Sequence, residues 1–473
     1  MKIKSLFGDR AFYRSVLAVA LPMMIQTCIT NLVNMLDNVM VGSLSTEAMS
    51  GVAIVNQFTF IFNLAVFGAV SAAGIFTAQF HGGGDHDSVR HTFRMKIIIS
   101  TVIAALCIAV FLIFDDALIS SFLHEGGEGD LALTMKHAKE YLVWIVVSFI
   151  PFALAQSYAS TLRETGESVV PMISSIASVL TNLVFNALLI FGLLGFPALG
   201  VAGAAIATAL SRFVDLAILA IYAHTHTQKA YFARGAFRSL YVPRSIIRSV
   251  VIKGVPIMAN ELLWSLAVTL RNQCYSTRGL EVVAAINIAV TMINLLDVIH
   301  HSLAASVAIV LGNLLGAGKI EESRDASKKL ITFAALAGVL VTVLQIAIAP
   351  VFPYLYNTED AVREMATEIM ITYALFIPFI SIALSSYYTL RSGGKVITTF
   401  LFDCGYAWCV VLPVALILTH LTDMSIVPLY ALTYLAESTK CIPGLILVGR
   451  GKWARQLVAR GESKAESEAT AQV

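Results

Sequence analysis

Two carboxylates, Asp37 and Glu261, sit inside apolar runs of the sequence. A carboxylate in hydrocarbon is costly and persists where an ion, a proton or a charged cargo uses it. Asp37 lies in an apolar segment from about Val16 to Val41, roughly 30 Å along a helix and nearer the outer interface than the bilayer centre. Glu261 is roughly 16 Å into its own helix, near the centre, where desolvation penalises the charged form. The chemistry this suggests for both is reversible uptake of a cation or a proton. Plainer readings are a cap or surface salt bridge for Asp37, and a hydrogen bond to Trp264 or a neighbouring helix for Glu261.

The elements that must hold these groups are membrane helices. The chain has 473 residues, 58% hydrophobic and only 13% charged, whereas a soluble domain is about 25% charged. A spanning helix needs about 20 mostly apolar residues. Such stretches centre near residues 28, 64, 104, 149, 181 and 210, and again near 263, 297, 341, 378, 408 and 436. The fold class is therefore an all-α integral membrane protein with twelve transmembrane helices. With the N-terminus inside, only Lys136, Lys139, Arg278 and Arg363 fall outside, while Asp115, Asp116, Glu359 and Asp360 mark outer loops. This bias places both termini in the cytoplasm and explains the net charge of +2. No cleavable signal is read at the start, and the cysteines lie within spans, so no disulfide framework is expected.

The sequence repeats itself. Pro22 to Asp85 lies on Pro256 to Lys319 without a gap, pairing Asn38 with Asn272, Glu47 with Glu281, and Gly82 and Gly84 with Gly316 and Gly318. Further on, Thr161-Leu162-Arg163 and Gly166 match Thr389-Leu390-Arg391 and Gly394. A duplicated six-helix unit crosses the membrane twice in the same sense, which relates the two bundles by a pseudo-two-fold along the membrane normal. The expected domains are a bundle at 1–222, a basic cytoplasmic linker at 223–249, a second bundle at 250–452 and a polar, disordered tail at 453–473. Pro22 and Pro256, at equivalent positions, are candidate hinges. Arg271 is the repeat mate of Asp37. It reads either as half of an ion pair between bundles or as a residue snorkelling to the headgroups.

Arg212 with Asp215 and Glu437 with Lys440 have the spacing of neutralising pairs within one helix, and Asp403 is a candidate lining residue. His300-His301 reads as helix packing or cavity polarity, with no ligand set at metal spacing. Enzyme signatures fail. His124-Glu125-Gly126-Gly127-Glu128 ends in Glu rather than His, and Gly316-Ala317-Gly318-Lys319 lacks the flanking residues of a phosphate loop. No nucleotide-binding domain is present to couple ATP directly.

The ordered motifs resemble the MATE (multidrug and toxic compound extrusion) transporters. The resemblance rests on Leu21-Pro22, Asp37 and Val41-Gly42 in the first helix, and on Thr77-Ala78-Gln79-Phe80 before Gly82. It continues through Thr161 to Gly166, Asn182 and Asn186, Gly200 to Thr208, Pro256 to Trp264, Leu390 to Gly394, Asp403, Trp408, Pro413 and Gly451-Lys452-Trp453. It implies a V-shaped pair of bundles exporting cationic or amphipathic organic compounds, driven by Na⁺ or H⁺ and needing no other cofactor. It also implies coupling through Asp37 and through Glu261, the local match for an acid of the seventh helix. Some members carry an Asp where this chain has Asn186. An amide does not titrate, so a proton relay cannot be carried over whole. Asn182 and Asn186 share a helix face at i and i+4, where they could orient Asp37 or ligate a cation. The expected partners are organic cations and the lipid bilayer of a prokaryotic cytoplasmic (inner) membrane, with no nucleic acid and a monomeric chain. The alternative is a flippase or exporter of lipid-linked or polyanionic cargo, which requires a strongly basic cavity. An intramembrane enzyme would need a His/Asp or Asp-rich constellation that the sequence lacks.

Overall fold

The computed structural model describes residues 6–122, 130–356 and 358–458. The His124–Glu128 stretch and the tail beyond residue 458 lie outside them. Among the described residues there is no strand, and 12 helices are long and apolar enough to cross a membrane. They are α1 (Arg10–Gly42), α2 (Thr46–Gly82), α3 (His86–Ile113), α4 (Leu131–Glu164), α5 (Val169–Phe191) and α6 (Gly200–Thr225). The second set is α7 (Arg244–Ser276), α8 (Leu280–Gly316), α9 (Ile320–Ile348), α10 (Asp360–Ser392), α11 (Val396–Leu421) and α12 (Ile426–Gly449). Several reach 33 or 37 residues. At 1.5 Å per residue that is ~50–55 Å, so they tilt within or protrude beyond a hydrocarbon core of about 30 Å. Large apolar side chains such as Leu106, Ile221, Val255 and Val343 point outward, as a lipid-facing surface requires.

The glycines that recur in the sequence are helix stops. Gly84 and Gly318 follow α2 and α8 with φ of +77° and +76°, and Gly166 and Gly394 follow α4 and α10 with φ of +94° and +68°. At each stop the next amide reaches back five residues. Asp85 N–H donates to the Phe80 carbonyl (3.0 Å), Lys319 to Leu314 (3.0 Å), Glu167 to Leu162 (2.8 Å) and Lys395 to Leu390 (3.3 Å). This left-handed closure satisfies carbonyls that a helix end leaves bare, and glycine reaches it without a Cβ penalty.

By internal packing the chain forms two compact units. One comprises Ile25–Thr77 and His86–Gly254; the other comprises the described parts of Met1–Met24 and Val255–Val473, with Ala78–Asp85. The chain thus changes unit within two residues of Pro22 and again within two residues of Pro256. Both prolines lie inside continuous helices.

In the first unit, Phe62 stacks on Phe149 at 4.0 Å amid buried Val55, Val66, Phe111 and Leu142. The basic connector is part of this unit's packing. Phe232, Ala233 and Ala236 are buried, and Arg94 of α3 donates to the carbonyls of Gly235 (3.1 Å), Ala236 (2.7 Å) and Tyr241 (3.1 Å). Arg234, Arg238, Arg244 and Arg248 remain exposed, available to a charged surface.

In the second unit, Val16 and Ala20 pack with Leu303, Val307 and Leu311. Residues 453–458, expected as part of the polar tail, are packed where they are described. Trp453 is 1% exposed, and its indole N–H donates to the Val448 carbonyl at 3.1 Å. Gln79 ties this segment down: its Nε2 donates to the Ser392 carbonyl (3.0 Å) and its Oε1 accepts from Leu457 N–H (2.7 Å). The end of α2 meets the end of α8 backbone to backbone. A Cβ on Gly82 would fall 2.0 Å from the Asn313 carbonyl oxygen, and one on Gly316 would fall 1.9 Å from that of Gln79.

That crossing generates a prediction. Gly316→Val should force the two helix ends apart and lower stability by about 1–3 kcal/mol. A clear fall in melting temperature of the purified protein is expected, and Gly449→Val, at a site with open space, serves as the control. Equal melting temperatures for the two variants would show that the close approach is not needed.

Candidate functional site

Asp37 reaches its partners because α1 carries it against α5 and α6 within the first unit. Asn182 and Asn186 lie one turn apart on the buried face of α5, and Thr208 faces them from α6. Asn186 Nδ2 donates to Asp37 Oδ1 at 2.6 Å. With the Asn182 amide turned so that its nitrogen faces the acid, Nδ2 donates to both carboxylate oxygens, at 2.9 and 2.8 Å. Its oxygen then accepts from Thr208 Oγ1 at 3.2 Å. Arg212, one turn beyond Thr208, acts on Asp37 through space. Its guanidinium lies over the Phe152 ring at 5.1 Å rather than on a carboxylate. Arg212 acts through space on Asp215 as well, as the spacing suggested, but makes no direct ion pair with it, and Asp215 Oδ1 has no hydrogen-bond partner. The site is therefore a half-buried carboxylate solvated by neutral donors. Carboxamides can also present oxygen, so the same four side chains offer an oxygen shell of the kind hard cations take.

The second unit treats its acids differently. Glu261 Oε1 lies 3.5 Å from Arg391 Nη1, and Arg391 also donates to the Tyr387 hydroxyl at 3.2 Å. Asn260 donates to Asp403 Oδ2 (3.0 Å) and to the Tyr387 hydroxyl (3.3 Å), while Lys440 Nζ donates to Asp403 Oδ1 at 2.5 Å. Asp403 lies on a π-type stretch of α11, Leu401–Gly405, where the Cys404 N–H turns to Asn260 Oδ1 (3.3 Å). Such widened turns recur at functional sites. Arg271 donates to Glu437 (2.5 Å) and to the Tyr434 hydroxyl (3.1 Å), both on α12 of its own unit.

These contacts correct two expectations. Arg271 pairs within its own unit rather than between bundles, because Tyr434 and Glu437 offer it a partner face at i, i+3. Glu437 and Lys440 do not pair with each other. Thr439 and Lys440 keep right-handed helical dihedrals, and Lys440 reaches across to Asp403 instead. Sequence reasoning also missed Thr208 and Tyr387 as partners and treated Arg391 only as a repeat marker. The i, i+4 spacing of Tyr387 and Arg391 was the available signal.

The sequence matches the MatE family over residues 22–188 and 256–417. It is 27% identical over 416 residues to the "Probable multidrug resistance protein NorM" of Halalkalibacterium halodurans, covering 86% of this chain and 88% of that protein. It is 23% identical to a protein of the same description from Thermotoga maritima, covering 95% of each. Among solved structures, it superposes on the "Outward-facing conformation of a multidrug resistance MATE family transporter of the MOP superfamily" with a TM-score of 0.84. Identity there is 19%, over 96% of this chain and 99% of that one. A "MOP superfamily transporter from Pyrococcus furiosus", described as having a binding pocket of "reverse polarity", gives the same TM-score at 19% identity, over 97% and 99%.

The paired acids of the second unit make a stability prediction. Arg391→Met strands the Glu261 carboxylate and should cost about 3–5 kcal/mol, whereas adding Glu261→Gln to it should restore most of the loss. Melting temperatures of the single and double variants decide this. A double variant no more stable than the single would mean the two side chains are not energetically coupled.

Proposed function

We propose that this chain, which belongs to the MatE family, is a secondary active antiporter that exports cationic or amphipathic organic compounds in exchange for Na⁺ or H⁺. The observation that carries the reading is the Asp37 site: a carboxylate inside a spanning helix whose direct partners are carboxamides rather than a cation. Leaving that charge bare is costly, and occupying it with the coupling ion or with a cationic cargo is not. Competition for one buried charge then links the two fluxes. The outward-open transporter takes an ion at Asp37, releases its cargo and turns to face the cytoplasm, where cargo displaces the ion.

Asp37 with Asn182, Asn186 and Thr208 forms the coupling site in this proposal. Glu261 already has Arg391 beside it, so we assign it, with Asp403 and Arg271, to holding the second unit together rather than to a second ion. Pro22 and Pro256, where the chain passes between units, are assigned as the hinges. The protein is a multi-pass membrane protein. We place it in the cytoplasmic (inner) membrane as a monomer with both termini inside, acting on small molecules, without catalytic chemistry and without a nucleic-acid partner. A flippase of lipid-linked or polyanionic cargo would need a strongly basic cavity; of the candidate bases Arg271 is engaged by Glu437, and Arg212 over the Phe152 ring is a single charge.

Proteoliposomes loaded with a fluorescent organic cation test this directly. Efflux is expected under an imposed Na⁺ gradient or an imposed pH gradient, and Asp37→Asn should reduce it at least tenfold in folded protein. Glu261→Gln, normalised to folded protein, should lose much less. Absence of efflux under both gradients would overturn antiport, and full coupled efflux by Asp37→Asn would overturn the site.

A further inference from the structure

On α8, away from the groups assigned to coupling, Asp297, His300 and His301 sit at i, i+3 and i+4 and so share one helix face. One donor atom from each lies within 4.8 Å of the others. His300 Nδ1 and Asp297 Oδ1 are 3.6 Å apart, close to the edge of roughly 3.4 Å that ligands at 2.0–2.1 Å from a tetrahedral ion define. The sequence alone suggested packing for the two histidines; the structure adds Asp297, which supplies the missing third ligand.

Three observations say that this cluster is unfinished as it stands. His300 is fully buried, yet neither Nδ1 nor Nε2 has a hydrogen-bond partner, and Asp297 Oδ1 also lacks one. A buried polar atom without a partner is costly unless something fills the gap. Second, Glu261, Asp403 and Glu437 each contact an Arg or Lys in this unit, but Asp297 pairs with neither among the described residues. Its Oδ2 instead accepts a 2.6 Å hydrogen bond from the Tyr373 hydroxyl of α10. A ligating carboxylate held by an outer hydroxyl is the arrangement that orients metal ligands. Third, His301 is exposed while the other two are not, so the cluster is not sealed by packing on every side.

We infer that Asp297, His300 and His301 form a binding site for a divalent transition-metal ion of the zinc class. Two imidazoles and one carboxylate select zinc, cobalt or nickel over sodium, magnesium or calcium, which prefer all-oxygen shells. Three protein ligands leave one position open to water, as in sites where ions exchange. The site is separate in chemistry and residues from the oxygen shell at Asp37, so either assignment can fail alone.

Co²⁺ serves as the probe, because its visible absorption reports tetrahedral nitrogen and oxygen ligation. Chelator-treated full-length protein in lipid nanodiscs should bind one equivalent with an intense band. His300→Ala and His301→Ala should each weaken binding at least tenfold and abolish the band, and Tyr373→Phe should weaken it severalfold. Zn²⁺ should displace Co²⁺ and raise the melting temperature of the wild type but not of His301→Ala. Because His301 is exposed, its replacement is expected to fold even where His300→Ala does not. A wild type that gives no band, or a His301→Ala protein with an unchanged band and affinity, would overturn the assignment.

Discussion

Hydrocarbon offers no water to solvate a carboxylate, so every acid placed within the spans must find its compensation inside the protein. The acids meet that constraint either beside a cation or among neutral donors, and in the first unit too one of them, Glu164, lies beside Lys96. In the second, Glu261, Asp403 and Glu437 each have a cationic side chain beside them, from Arg391, Lys440 and Arg271. In the first, Asp37 is met by two carboxamides, one of them also held by a hydroxyl. Internal cations fix a charge permanently; amides leave room for a charge that comes and goes.

The duplication sharpens the point, because Asp37 and Arg271 occupy matching positions of the repeat. One position has kept an acid and acquired neutral neighbours. The other has become basic and is clamped by Glu437 and Tyr434. A shared scaffold therefore supports an acid among neutral donors at one position and a paired base at the other. The π-type turns of α11 continue the theme: they spoil regular helix but bring Asp403 to Asn260 and Lys440.

How much of this was legible in the sequence depended on the distance over which each signal acts. Apolar length exposed the twelve spans, and the repeat paired Gly84 with Gly318 and Gly166 with Gly394, but their left-handed helix stops emerged only in the structure. The shared face of Asn182 and Asn186 followed from helical spacing. The partners of Glu261 and Asp403 did not, since Arg391 and Lys440 lie far along the chain and meet them only through helix rotation. Apolar periodicity specifies rotation poorly when lipid surrounds the helices. Local pairing also misled at Glu437 and Lys440, where Lys440 reaches across to Asp403 instead. The connector was legible as basic but not as packed, because Arg94 spends its donors on backbone carbonyls that carry no sequence signature.

The close crossing at Gly82 and Gly316 has a further meaning. Gly82 faces Asn313, the repeat mate of Gln79, while Gly316 faces Gln79 itself. Each half of the duplication thus offers the same short surface to the other, the self-complementary pattern by which identical subunits associate across a two-fold axis. That reciprocity has no use in a chain assembled from unrelated parts. It is the packing counterpart of the repeat in the sequence, with the same pair of positions used twice.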